Sequence, residues 1–164
     1  MKAQTQLERY IRNEDLNINY HGGTATNIFG TEYTVTMGCA EGYFDVPSVR
    51  YASREITIKN ACGYYQDVYG VEDESNFMAH ALAHELGHTE TYMLGTGLAL
   101  ILATIGIKNA IQQKSPSALA KGLAMATAGK FFIDEILAEA AAYTIHSAPL
   151  EANPQWFKSL VDLL

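Results

Sequence analysis

Two histidines four positions apart, with a glutamate beside the first, make His84-Glu85-Leu86-Gly87-His88 the stretch of this chain best suited to chemistry. On a helix, residues four apart share a face, one turn above the other. Imidazoles so placed can converge on one zinc ion, each nitrogen about 2.0–2.1 Å from the metal. Glu85 stands one position round the helix from His84, where it can hold and deprotonate a metal-bound water. A zinc site that keeps a water needs three protein ligands, so a third must come from elsewhere in the chain. The competing reading of the five residues is a chance pattern on a solvated helix.

A second acidic helix is expected to supply the third ligand, the competing reading being a pair of solvated helix acids. Asp134-Glu135-Ile136-Leu137-Ala138-Glu139 lies in a segment that is otherwise almost wholly apolar. Glu135 and Glu139 are four apart and share a face. Charged side chains are seldom buried unless they are paired or bind metal. Glu135 is therefore expected to complete the metal site with His84 and His88. Glu139 is expected to accept the free N–H of a ligating histidine and fix its tautomer. His80, one turn before His84, reads as a supporting or surface histidine rather than a ligand.

Local patterns indicate the elements that must hold these groups. Gln4–Glu14 reads as a short helix with Leu7, Tyr10 and Ile11 on one side. Residues 17–60 read as a small, mostly antiparallel sheet of three or four strands, with alternation at Tyr33–Met37 and Arg54–Lys59. Ala61–Val71 reads as a loop. The H-E-x-x-H helix is expected from about Asp73 to Met93, ended by Gly95 and Gly97. A second helix follows over about Leu98–Gln113, and a third over about Ala118–Ile145. Asn153-Pro154 starts a last short helix whose face of Trp156, Phe157, Leu160, Val161 and Leu164 packs on the core or serves a larger assembly.

At 164 residues the chain is expected to form one domain, residues 1–164. Its net charge of −7 speaks against a nucleic-acid surface, which needs a basic stripe. Met1–Asp15 has no apolar segment of the secretory kind, so the expectation is a cytoplasmic protein with Cys39 and Cys62 reduced, a disulfide between them in an oxidising space being the alternative. Between Thr91 and Ile133 there is no acidic residue, only Lys108, Lys114, Lys121 and Lys130. Thr91–Ile107 is 17 consecutive uncharged residues, at the short limit for a membrane span. A buried helical hairpin is the preferred reading of this block, and membrane association the weaker one.

H-E-L-G-H followed by a helix reading D-E-I-L-A-E-A resembles the gluzincin metallopeptidases. Thermolysin-like members carry N-E-x-x-x-D on the second helix, and the prenyl-protein-processing membrane type carries E-x-x-A-D. Asp134 falls where the first type has Asn, Glu135 falls on the ligand glutamate, and Ala138-Glu139 falls on the Ala-Asp pair. The resemblance covers the two motif helices, the hairpin between them and an edge strand at about 54–59 that would pair with an extended substrate. It implies a zincin-like α+β fold: a small sheet, the active-site helix, a helical hairpin and the glutamate helix. It also implies a metal site of His84, His88 and Glu135, with Glu139 and Asp134 supporting the ligands. The expected activity is zinc-dependent hydrolysis of peptide or protein substrates, with Glu85 as general base.

The chain departs from the family in two ways. Glu139 replaces Asp, which lengthens the supporting contact. The late Tyr, His or Arg that stabilises the transition state has no clear match, with His146 and Tyr143 as the residues to weigh. That gap favours the alternative, a non-catalytic zinc-binding or assembly module on the same fold.

Overall fold

A computed structural model describes residues 2–39, 47–60, 74–113 and 116–148. The chain is α+β, in the order α1 (Lys2–Asn13), β1 (Asn19–His21), β2 (Thr24–Thr26), β3 (Glu32–Cys39), β4 (Ser48–Arg50), β5 (Glu55–Asn60), α2 (Glu74–Gln113) and α3 (Pro116–Thr144). It divides into two compact units, one of Met1–Glu90 with Ala138–Leu164, the other of Thr91–Leu137. The expected loop Ala61–Val71, the helix Trp156–Leu164 with its assembly face, Cys62 and the side chain of Cys39 lie outside the described residues.

The first unit is built on a five-stranded sheet in the order β1-β2-β3-β5-β4. Gly22 and Gly23 join β1 to β2 with φ of 58° and 82°. Two successive positive φ angles make the two-residue hairpin turn whose twist suits antiparallel strands, and glycine adopts them without steric cost. Along β3, Tyr33 and Val35 are buried while Thr34 and Thr36 face outward; Ile56 and Ile58 repeat this alternation in β5. On this apolar face sit Leu7 and Ile11 of α1 and Met78, Leu82 and Leu86 of α2. The last three recur every four residues and so form one stripe of the helix.

Three expectations are corrected. Among the described residues the sheet has five strands rather than three or four; three of its four pairings are antiparallel, as expected, but β3 and β5 run parallel, Val35 opposite Ile56 and Met37 opposite Ile58. Strands β1, β2 and β4 have three residues each, too few to show alternation in sequence. The segment at 54–59 is not an edge along its first half, since β4 pairs antiparallel with Glu55, Ile56 and Thr57. The turn that folds β4 back is closed by the Arg54 amide donating to the Tyr51 carbonyl at 3.3 Å, with Arg54 at φ 51°.

The third correction concerns α2, which runs unbroken for 40 residues through Gly95 and Gly97. Gly95 is a site of close approach rather than a stop. A Cβ there would collide with the Asp134 carboxylate. Glycine inside a helix weakens it without ending it when packing requires the space. Within the second unit the two helices also meet at Gly106 and Gly122, where a Cβ on either would stand 3.0 Å from the other's Cα.

Candidate metal centre

In α2 a histidine stripe, His80, His84 and His88, recurs every four residues. It lies roughly 200° around the helix from the Met78–Leu82–Leu86 stripe that faces the sheet. The ligating atoms of His84, Glu85 and His88 all fall within 4.8 Å of one another, and Glu85 is buried. The rings of His84 and His88 stand edge to face, 4.7 Å between centroids. Glu85 is buried and His84 and His88 are partly buried, whereas a chance pattern on a fully solvated helix would leave all three exposed.

Glu139, on α3, is almost completely buried against this stripe. Its Oε1 lies 3.0 Å from His84 Nδ1 and 3.2 Å from His80 Nε2. Burial raises its pKa, but hydrogen bonds and charge from His80 and His84 outweigh that and hold it at about 2. The group is a carboxylate and can only accept, so His84 Nδ1 and His80 Nε2 must donate. With Nδ1 donating to Glu139, the neutral form of His84 has its lone pair on Nε2, the form that binds a metal. Glu139 Oε2 and His80 Nδ1 are buried without hydrogen-bond partners among the described residues.

Glycine is required for this approach. A Cβ on Gly87 would stand 2.5 Å from the Ala138 carbonyl oxygen and 3.0 Å from its Cα. Gly87, an unspecified position of the H-E-x-x-H pattern, therefore lets α3 lie directly on α2 at the residue before Glu139. The far end of the motif is anchored as well. Asn27 donates to Thr89 Oγ1 at 3.0 Å, and the Ile28 amide donates to Glu90 Oε1 at 3.1 Å.

Glu135 stands one turn before Glu139 on α3, at the end of the second unit. Asp134, also in the second unit, is ion-paired with Lys130, whose ammonium lies 5.3 Å from the centroid of the Tyr92 ring. Tyr143 is half exposed. His146 is buried beyond the end of α3, where Nε2 lies 3.0 Å from Glu90 Oε2 and Nδ1 lies 2.9 Å from the Asn17 carbonyl. It serves as a clasp between three chain segments. The carbonyl can only accept, so Nδ1 carries a proton, and the carboxylate favours a second on Nε2. Burial lowers the His146 pKa, but the Glu90 and Asn17 contacts more than offset it and leave it raised.

Sequence reasoning passed over the Glu90–His146 pair. Set against known protein families, curated proteins and solved structures, the chain matches none.

Proposed function

We propose that this chain is a zinc-dependent peptide hydrolase of gluzincin type, with zinc held by His84, His88 and Glu135. The observation that carries the reading is the contact of the Glu139 carboxylate with His84 Nδ1, which prepares Nε2 as a ligand. The donor set of two imidazoles and a carboxylate suits zinc and leaves a position for water. Bound zinc would supply Lewis-acid polarisation of the substrate carbonyl and lower the pKa of its water. Glu85, buried beside the ligating atoms of His84 and His88, would serve as the general base and return the proton to the leaving amine. His84 and Glu139 keep the ligand geometry fixed while this happens.

The experiment is elemental analysis of purified wild type beside Glu135→Ala and Glu139→Ala. Near-stoichiometric zinc in wild type, lost in Glu135→Ala and weakened in Glu139→Ala, supports the reading. Wild type without zinc, or zinc indifferent to Glu135, overturns it.

The non-catalytic alternative draws on His146, which is held by Glu90 and Asn17 and so is committed to structure. Chelation separates the two readings. A structural site loses folding stability with its metal, whereas an enzyme site loses activity with less unfolding.

A further inference from the structure

Among the described residues, most of the large exposed apolar side chains belong to the second unit, Thr91–Leu137, so the hairpin expected to be buried is not. Leu100, Ile101 and Leu102 are consecutive in α2 and are 64%, 58% and 41% exposed. Neighbouring helix residues are about 100° apart, so these three alone sweep roughly 200° of the circumference. On α3, Met125 and Phe131 are 74% and 69% exposed. The helices meet instead through glycine, Gly106 against Gly122, which turns the large apolar side chains outward. Small residues between helices and large apolar residues outside is the packing of helices in hydrocarbon. Thr104 and Thr127 donate to the Leu100 and Leu123 carbonyls one turn back, at 2.8 Å and 3.0 Å, so both hydroxyls are satisfied within their own helices.

We propose that the hairpin of residues 91–137 inserts into an anionic lipid bilayer. α2 is long and apolar enough to cross a membrane. Its uncharged run Thr91–Ile107 extends about 26 Å, close to the hydrocarbon thickness of about 30 Å. Charge complementarity identifies the lipid. Lys108 and Lys121 are exposed, and both lie within two turns of the ends at which α2 gives way to α3, Gln113 and Pro116. No acidic residue falls between Thr91 and Ile133 to oppose an anionic headgroup layer. Long lysine stems let these ammonium groups reach that layer. Lys130, nearer the other end, is neutralised by Asp134. A protein partner would cover one side of the hairpin, whereas apolar exposure here runs round it. The inference is independent of the zinc chemistry.

The test is flotation of the full-length protein with phosphatidylcholine–phosphatidylglycerol vesicles (3:1), followed by washes with 1 M NaCl and with carbonate at pH 11. Wild type is expected to float and to resist both washes. Leu100→Asp should lower the retained fraction at least tenfold, because an aspartate within a membrane helix strongly opposes insertion. Phe29→Asp, at a similarly exposed apolar position of the first unit, should leave it unchanged. Circular dichroism checks that both variants keep their helix content, and the wild-type result stands without them. Wild type left in the aqueous phase, released by 1 M NaCl, or found as a soluble oligomer in place of a vesicle-bound form overturns the proposal.

Discussion

Glu139 Oε1 stands 3.0 Å from His84 Nδ1, in a place where Glu139 is almost fully buried and ionised. A buried carboxylate of this kind is stable only while its donors remain, and it stabilises them in return. Glu139→Ala should therefore lower the stability of the metal-free protein by about 3 kcal/mol, the scale of one or two charge-assisted hydrogen bonds. Glu139→Gln keeps an acceptor oxygen and should cost less, yet at the proposed zinc site it should still weaken binding by roughly 10–100-fold. Chemical denaturation and competition with a zinc chelator read the two effects. Unchanged zinc affinity in both variants would remove Glu139 from the metal site.

Gly87→Ala separates packing from helix propensity, because the two predict opposite signs. In an exposed helix interior, alanine would stabilise by about 1 kcal/mol. Here the new Cβ would press on the backbone of Ala138, at 2.5 Å from its carbonyl oxygen. Backbone cannot swing aside as a side chain can, so a net loss of about 1–3 kcal/mol is expected. α3 would also be pushed outward next to Glu139, and zinc affinity should fall with stability. A stabilised variant with unchanged zinc affinity would contradict the close approach of the two helices.

The sequence showed the histidine stripe and the acidic helix because both depend on a four-residue spacing that a helix converts directly into adjacency. Glu139 was legible on the same grounds, as an acid in an apolar helix. The continuity of α2 was not. Gly95 reads locally as a helix stop, and only the Asp134 carboxylate opposite it shows why glycine is needed in mid-helix. The parallel pairing of β3 with β5 was equally hidden, since register between distant strands is decided by tertiary packing rather than by alternation within either strand. Glu90 and His146 are 56 positions apart and belong to no repeating pattern, so nothing local announced their contact.

Glu85→Gln tests the proposed chemistry most directly. Glutamine preserves shape and one acceptor but cannot take a proton at neutral pH. Hydrolysis of a peptide substrate should fall by at least about 100-fold, the contribution usual for general-base catalysis. Zinc content should remain near that of wild type, because Glu85 is not among the proposed ligands. Retained turnover would exclude Glu85 as the base, and lost zinc would make it a ligand.

The His146–Glu90 clasp predicts a pH dependence of stability with a definite sign. The His146 pKa is raised in the folded protein, chiefly through Glu90 acting against burial. A histidine with a raised folded pKa contributes its stabilisation in full below the unfolded value of about 6.5. That stabilisation is lost as pH rises through the folded pKa. Each unit of elevation corresponds to about 1.4 kcal/mol. Glu139, held at about 2, stays ionised across pH 5.5–9 and adds no slope there. The informative quantity is the difference between wild type and Glu90→Gln, because it isolates the clasp from every other group in the protein. That difference should be largest at pH 5.5 and shrink toward pH 9, as measured by denaturant unfolding at intervals of half a pH unit. An NMR titration of His146 should show its pKa falling in Glu90→Gln. A difference that stays constant with pH would mean that the buried pair is held by hydrogen bonding between neutral groups, and that His146 does not carry the charge assigned to it.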